Sequence, residues 1–204
     1  MRNLAPMVMR WYMILCTFLL VACEQTTPTE AYLDREGSAR RSDTLVNILD
    51  GMIARIVDLP RTGDRDVDLA RELIEHHRAT IALNDHFLAH GNEVPGPLRV
   101  FAERLTAQKQ REVEEMQAFI RSHPPVPPGG QRGQPDLLEG LAEVPRTDDL
   151  PQAYRHLMHL QLQDGLTLAR KWHERGLHDE VKEMLATMVK NMEANIQELE
   201  TLNS

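Results

Sequence analysis

The sequence predicts an all-α protein: an antiparallel four-helix bundle made of two helical hairpins, with an extra helix at the N-terminus. Aromatic residues form only 4% of the 204 residues and glycine occurs only 11 times, whereas β-sandwiches and β-barrels use both freely in strands and turns. Apolar residues recur at helical spacing along the chain, and no segment alternates as a strand does. With 42% hydrophobic residues, the chain can bury a core of ordinary size.

Bulk properties narrow the classes of function. The chain carries 23 basic and 31 acidic residues, a net charge of −8, so it lacks the positive surplus that a general nucleic-acid binder needs. Its 2 cysteines cannot form a disulfide scaffold or a four-thiolate zinc site. Motifs for a nucleophile, a phosphate-binding loop or a di-iron bundle are missing from the sequence. We therefore expect no enzymatic activity and no nucleic-acid partner.

Residues 1–22 have the features of a secretory signal peptide. Arg2 and Arg10 give it a basic start, and the apolar run that follows is 12 residues long, too short to cross a hydrocarbon layer of about 30 Å. The letters LVAC, ending at Cys23, resemble the lipobox of bacterial lipoproteins. The resemblance implies a lipid on Cys23, which would attach the protein to a membrane. We expect the protein in the bacterial cell envelope, facing the periplasm or the exterior.

The mature chain begins with a polar segment and a first helix. Residues 23–41 lack a hydrophobic pattern and are interpreted as a flexible tether. The helical domain is expected over residues 42–204, and its first helix starts at Ser42 and stops before Pro60. Its apolar stripe consists of Leu45, Ile48, Leu49, Met52, Ile53, Ile56 and Val57.

Two helical hairpins follow. The first is predicted over about 66–122 and the second over about 151–202. The segment 124–150 between them is rich in proline, with Pro124, Pro125, Pro127 and Pro128 close together, and is interpreted as a linker. The two halves are weakly alike when shifted by 85 positions. That shift aligns Ile81 with Leu166, Leu83 with Leu168, and Phe87 with Trp172.

A histidine pair is the most informative motif. On a helical wheel of the second helix, His77 falls inside the apolar face and His76 lies at its edge. In the third helix, Lys109 and Glu112 fall on the stripe where apolar residues are expected. A buried imidazole needs polar partners, so we predict a polar seam formed by His77, Lys109 and Glu112.

The same residues carry a family resemblance. The chain resembles the domain of unknown function 305 family, ferritin-like helical domains of bacterial envelopes. The matching positions are Asp66, Ile74, His76, His77, Ile81, Glu112 and Met116. Some members of that family are associated with copper, so the resemblance implies a copper site at His76, His77, Glu112 and Met116.

The chain departs from the family pattern at three positions. Leu73 and Leu83 replace methionines, which are the soft ligands that favour cuprous ion, and Lys109 replaces a glutamine. Two functions therefore stay open. One is a lipid-anchored envelope protein that binds or buffers a transition metal, copper, through the histidine pair. The other is a structural or protein-interaction lipoprotein of the envelope that binds no metal and acts through a protein partner.

Overall fold

The computed structural model confirms the all-α class. It describes residues 28–90, 94–123, 147, 149–173 and 178–202, and within these residues all regular structure is helical. The helices are α1 (Pro28–Asp58), α2 (Arg65–Ala89), α3 (Gly96–Ser122), α4 (Leu150–His173) and α5 (Asp179–Thr201). The predicted signal peptide, Cys23 and most of the predicted linker lie outside the described residues.

The first helix starts earlier than the sequence pattern indicates. α1 begins at Pro28, so the expectation of a flexible tether is wrong for residues 28–41. Proline is well suited to the first turn of a helix, where its missing N–H has no partner to lose. The residues after it are mostly good helix formers, and their propensity sustains a helix without an apolar stripe. They include Glu30, Ala31, Leu33, Arg35, Glu36, Ala39, Arg40 and Arg41.

A tight turn connects α1 to α2. Gly63 has a φ of 83°, a conformation that other residues rarely adopt. The Asp64 carboxylate then accepts the backbone N–H groups of Asp66 at 2.9 Å and Val67 at 3.2 Å, which caps α2. Asp68 accepts the Thr62 backbone N–H at 2.9 Å. These bonds fix the point at which α2 starts.

Contacts along α2 and α4 show that the two helices run antiparallel. Near one end, the Tyr154 hydroxyl donates to Asn84 Oδ1 at 2.7 Å. At the other end, the Arg65 guanidinium lies 5.9 Å from the centre of the Trp172 ring. α3 also runs antiparallel to α2, because the Asn84 amide donates to the carbonyl of Ala102 near the start of α3. The chain therefore leaves α3 at one end of the bundle and enters α4 at the other.

The core consists of two apolar clusters at different heights in the bundle. α1 packs against α2 and α4 and contributes four fully buried side chains to the first cluster, namely Leu45, Leu49, Met52 and Ile56. In the same cluster, the rings of Phe87 and Tyr154 stack with centroids 3.8 Å apart. The second cluster lies toward the end of the bundle where α2 begins. It includes Leu69, Leu73, Met116, Phe119, Ala169, Leu185, Met188 and Met192.

A layer of buried polar side chains lies between the two clusters. It is called the polar layer below, and it consists of His76, His77, Lys109, Glu112, Gln161 and Asn195. In α2, α3 and α5 these residues lie between the positions that contribute to the second cluster and those that contribute to the first. Gln161 of α4 precedes Leu162, the last residue of that helix in the first cluster. Among the described residues, no helix combines the length and the apolar character needed to cross a membrane.

We predict that Gly165→Ala destabilises the protein although alanine is the better helix former. A Cβ atom on Gly165 would lie 2.7 Å from Cε1 of the buried His76 ring, closer than real contacts allow. The ring is held on α2 and cannot swing into solvent, so α2 and α4 must separate. We expect a loss of about 1–3 kcal/mol in the free energy of unfolding, measured by urea denaturation.

Gly96→Ala is the matched control, because a Cβ there meets nothing within 4 Å. It should leave stability unchanged or slightly raised. Equal stability of the two variants would contradict the close packing of α4 on His76.

Candidate functional site

The polar layer is the candidate site. At its centre, the Glu112 carboxylate contacts the amino group of Lys109 and the imidazole of His77. His77 Nε2 lies 2.8 Å from Glu112 Oε2, and Lys109 Nζ lies 2.7 Å from the same oxygen. His77 is 0% exposed, Lys109 1% and Glu112 5%. The predicted polar seam of these three residues is confirmed.

Burial and the neighbouring charges set the protonation states. Burial, followed by the charge of Lys109, lowers the pKa of His77 to about 3, so the imidazole is neutral at physiological pH. Burial also lowers the pKa of Lys109, against the opposing effect of Glu112. For Glu112, burial alone would raise the pKa, but the hydrogen bond with His77 and the charge of Lys109 hold it well below its usual range.

These states fix the direction of the histidine contact. A carboxylate only accepts hydrogen bonds, so the Nε2 atom of neutral His77 carries the proton and faces Glu112. Nδ1 is then the acceptor nitrogen. Both ring nitrogens are buried and lack a well-aligned hydrogen-bond partner among the described residues, and Nε2 makes only its close contact with Glu112 Oε2. Lys109 Nζ lies 2.7 Å from the ionised Glu112, the contact of an ion pair, so the seam contains one buried ammonium, one buried carboxylate and one neutral imidazole.

The other carboxylate oxygen is also occupied. Glu112 Oε1 accepts the side-chain amides of Gln108 at 2.9 Å and Asn191 at 3.2 Å. The network continues outward, because Asn195 donates to Gln108 Oε1 at 3.2 Å and accepts from Arg104 at 3.1 Å. It joins α3 to α5 and ends at the surface. Both oxygens of Glu112 therefore have partners within the protein.

His76 belongs to a different part of the layer. Its Nδ1 atom lies 3.2 Å from the Gln161 side-chain nitrogen, which also donates to the His76 carbonyl at 2.9 Å. Because that amide nitrogen is a donor, Nδ1 accepts and Nε2 carries the proton. Nε2 lies 3.3 Å from Asp164 Oδ2. His76 therefore ties α2 to α4, whereas His77 ties α2 to α3.

The sequence interpretation missed Gln161 and Asp164 as partners of His76. One signal could have found Gln161: it lies 85 positions after His76, which is the shift that aligns the two halves. Two equivalent helices that pack antiparallel bring residues related by such a shift together at one level only, and His76 and Gln161 lie at that level.

The four predicted metal ligands are placed in three different surroundings. The rings of His76 and His77 have centroids 6.3 Å apart and meet edge to face, and each contacts a different helix. Met116 is fully buried in the second apolar cluster, one turn beyond Glu112. In the part of the chain that the structure describes, no three His, Cys, Asp or Glu side chains form a ready group of metal ligands. The lipid-attachment residue Cys23 lies outside that part.

Comparisons with protein-family models, with curated proteins and with solved structures find no match for this chain.

We predict that the polar layer makes stability depend on pH between 5 and 7. Unfolded His77 binds a proton near its ordinary pKa of 6.5, whereas folded His77 does so only near 3. The unfolded state thus binds more protons in this range, and acidification favours unfolding. From pH 7 to pH 5 this histidine alone should remove about 2 kcal/mol from the free energy of unfolding.

The measurement is urea denaturation of the wild type and of His77→Gln at several pH values. The variant lacks this titration while all other histidines remain, so its decline between pH 7 and pH 5 should be shallower. Parallel pH profiles for the two proteins would show that His77 titrates normally in the folded state.

Proposed function

We propose that this chain is a lipid-anchored protein of the bacterial cell envelope whose helical domain has no enzymatic activity and acts through a protein partner. In this proposal the polar layer serves the fold and binds no metal. The ammonium group of Lys109, 2.7 Å from Glu112 Oε2, carries the argument.

Lys109 already supplies the positive charge that a metal ion would supply. A metal held by His77 and Glu112 would share Oε2 with a buried ammonium, and two cations at such a distance repel each other strongly away from water. Metal binding would require Lys109 to lose its proton or leave the core. Since Glu112 Oε1 is also bonded to Gln108 and Asn191, the carboxylate is saturated without a metal.

The membrane attachment rests on the resemblance to the lipobox. α1 begins at Pro28, five positions after Cys23. Five residues reach at most about 18 Å, so a lipid on Cys23 would keep the start of α1 close to the membrane surface. The attachment proposed here is therefore short.

The finer architecture is also part of the proposal. We infer that α2 to α5 form an antiparallel four-helix bundle of ferritin-like connectivity, with α1 as the extra helix. Two features support this inference: α2 packs on α3 and α4 on α5, and the chain crosses the length of the bundle between the two pairs. One long crossover is characteristic of ferritin-like bundles.

A copper site at His76, His77, Glu112 and Met116 is the second candidate. The observation that favours it is the acceptor nitrogen of His77, which is buried without a hydrogen-bond partner among the described residues. A neutral imidazole is also the form that metals bind. For copper to bind there, Lys109 would have to lose its proton or move away from Glu112.

We predict that the full chain, purified in detergent, binds the same amount of cupric and cuprous ion as His77→Gln, with the same affinity. Lys109→Gln removes the competing ammonium and restores the residue that the resembled family has there. If the ammonium of Lys109 is what prevents a metal ion from binding to His77 and Glu112, Lys109→Gln should gain copper binding. An extra equivalent of copper in the wild type that His77→Gln loses would favour the second candidate. The test compares variants, so copper bound elsewhere cancels.

We predict that Cys23→Ala removes the protein from the membrane fraction. The thiol is the only atom proposed to carry the lipid, and without it the short leader segment gives no stable attachment. Fractionation of cells with immunodetection measures the change, and Cys16→Ala is the matched control that should stay with membranes. Persistent membrane attachment of Cys23→Ala would contradict the lipobox interpretation.

A further inference from the structure

We propose that the end of the bundle where α2 begins binds a divalent transition-metal ion, of the class of Zn²⁺, between His123, His178 and Asp66. His123 follows the last residue of α3, His178 precedes the first residue of α5, and Asp66 lies in the first turn of α2. The site is separate from the polar layer and shares no residue with it. It goes beyond the proposed function, which involves no metal.

The His178 side chain lies next to both of the other two, although the three residues belong to different helix ends. The imidazole rings of His123 and His178 have centroids 5.7 Å apart and are tilted by 38°. His178 Nε2 lies 3.9 Å from Asp66 Oδ2. Two imidazoles and one carboxylate are a ligand set that zinc uses, with a fourth position left for water.

The separations are close to those of a bound site. With metal–nitrogen bonds of about 2.0–2.1 Å in tetrahedral geometry, two imidazole centroids lie about 5 Å apart and two ligand atoms about 3.4 Å apart. The two observed distances are each longer by less than about 1 Å. As they stand, no three His, Cys, Asp or Glu side chains of the described residues are arranged to hold a metal ion, so binding requires a side chain to move. The His178 side chain is 65% exposed and can turn toward the ion, whereas that of Asp66 is 7% exposed and is held in place.

Two of the ligands are already oriented by their neighbours. His123 Nδ1 lies 3.0 Å from the carbonyl oxygen of Phe119, which can only accept. Nδ1 therefore carries the proton, and the lone pair of Nε2 is available to a metal. Asp66 Oδ2 accepts the backbone N–H of His178 at 2.9 Å, which ties the carboxylate to the second histidine. Partners of this kind hold metal ligands in known sites.

The surrounding charges are compatible with a cation. The positive ends of the α2 and α5 dipoles point toward this region, and Asp66, Asp179 and Glu180 in their first turns offset them. The nearby cation Arg65 is directed at the Trp172 ring. A bound ion would connect α2, α3 and α5, and so hold both hairpins together at this end.

The test is a zinc titration of the full chain in detergent, after treatment with a chelator, followed by calorimetry and thermal unfolding. We expect one Zn²⁺ to bind and to raise the unfolding temperature. His123→Ala and His178→Ala should each weaken binding at least about tenfold. His156→Ala, which removes an exposed histidine of α4, is the matched control and should bind as the wild type does.

Cobalt provides the second measurement, because tetrahedral Co²⁺ with nitrogen ligands has a visible absorption that changes when a ligand is lost. Both histidine variants should lose that absorption while keeping the helical circular dichroism of the wild type. Unchanged zinc affinity in both variants would overturn the proposal. So would zinc binding that His77→Gln abolishes and His123→Ala leaves intact, since the ion would then lie in the polar layer. The first result does not bear on the proposed function. The second would also contradict the proposal that Lys109 keeps metal ions out of the polar layer, and neither bears on membrane attachment by Cys23.

Discussion

The contact of one carboxylate with an ammonium and an imidazole governs the rest of this structure. Glu112 is buried among Lys109 and His77, and removing any one partner would leave a charge or a polar group without compensation in the core. Apolar contacts tolerate small shifts between helices, whereas these bonds are directional. Sliding α3 along α2 by one turn would separate the carboxylate from the imidazole. The polar layer therefore fixes the register of helices that the two apolar clusters hold together.

The polar layer also explains why adjacent histidines have different surroundings. Successive residues on a helix point about 100° apart, so His76 and His77 cannot both face one neighbour. His77 faces α3, where a carboxylate sits, and His76 faces α4, where an amide and the absence of a side chain at Gly165 make room for the ring. A histidine pair in sequence is thus two single histidines in the structure. Each one connects α2 to a different helix.

The sequence predicts a feature of the site where the residues of each helix can be read separately. It does not predict contacts that depend on how two helices pack against each other. Polar residues on the apolar stripes of α2 and α3 predicted the seam of His77, Lys109 and Glu112, because each stripe can be drawn without knowledge of the other. The partners of His76 depend on how α4 packs on α2, which periodicity within a helix does not determine. The early start of α1 was missed for the opposite reason: residues 28–41 are helical through local propensity and have no apolar stripe to reveal it.

The direction of α1 orients the whole molecule if the N-terminus is lipidated. α1 has 31 residues and so extends about 46 Å from its first residue to its last. Its last residues adjoin the turn into α2, at the end of the bundle that holds Asp66, His123 and His178. A lipid at Cys23 would anchor the opposite end of this helix. The bundle would then stand upright on the membrane, with its histidine-bearing end as the outermost part that a passing ion or protein meets first.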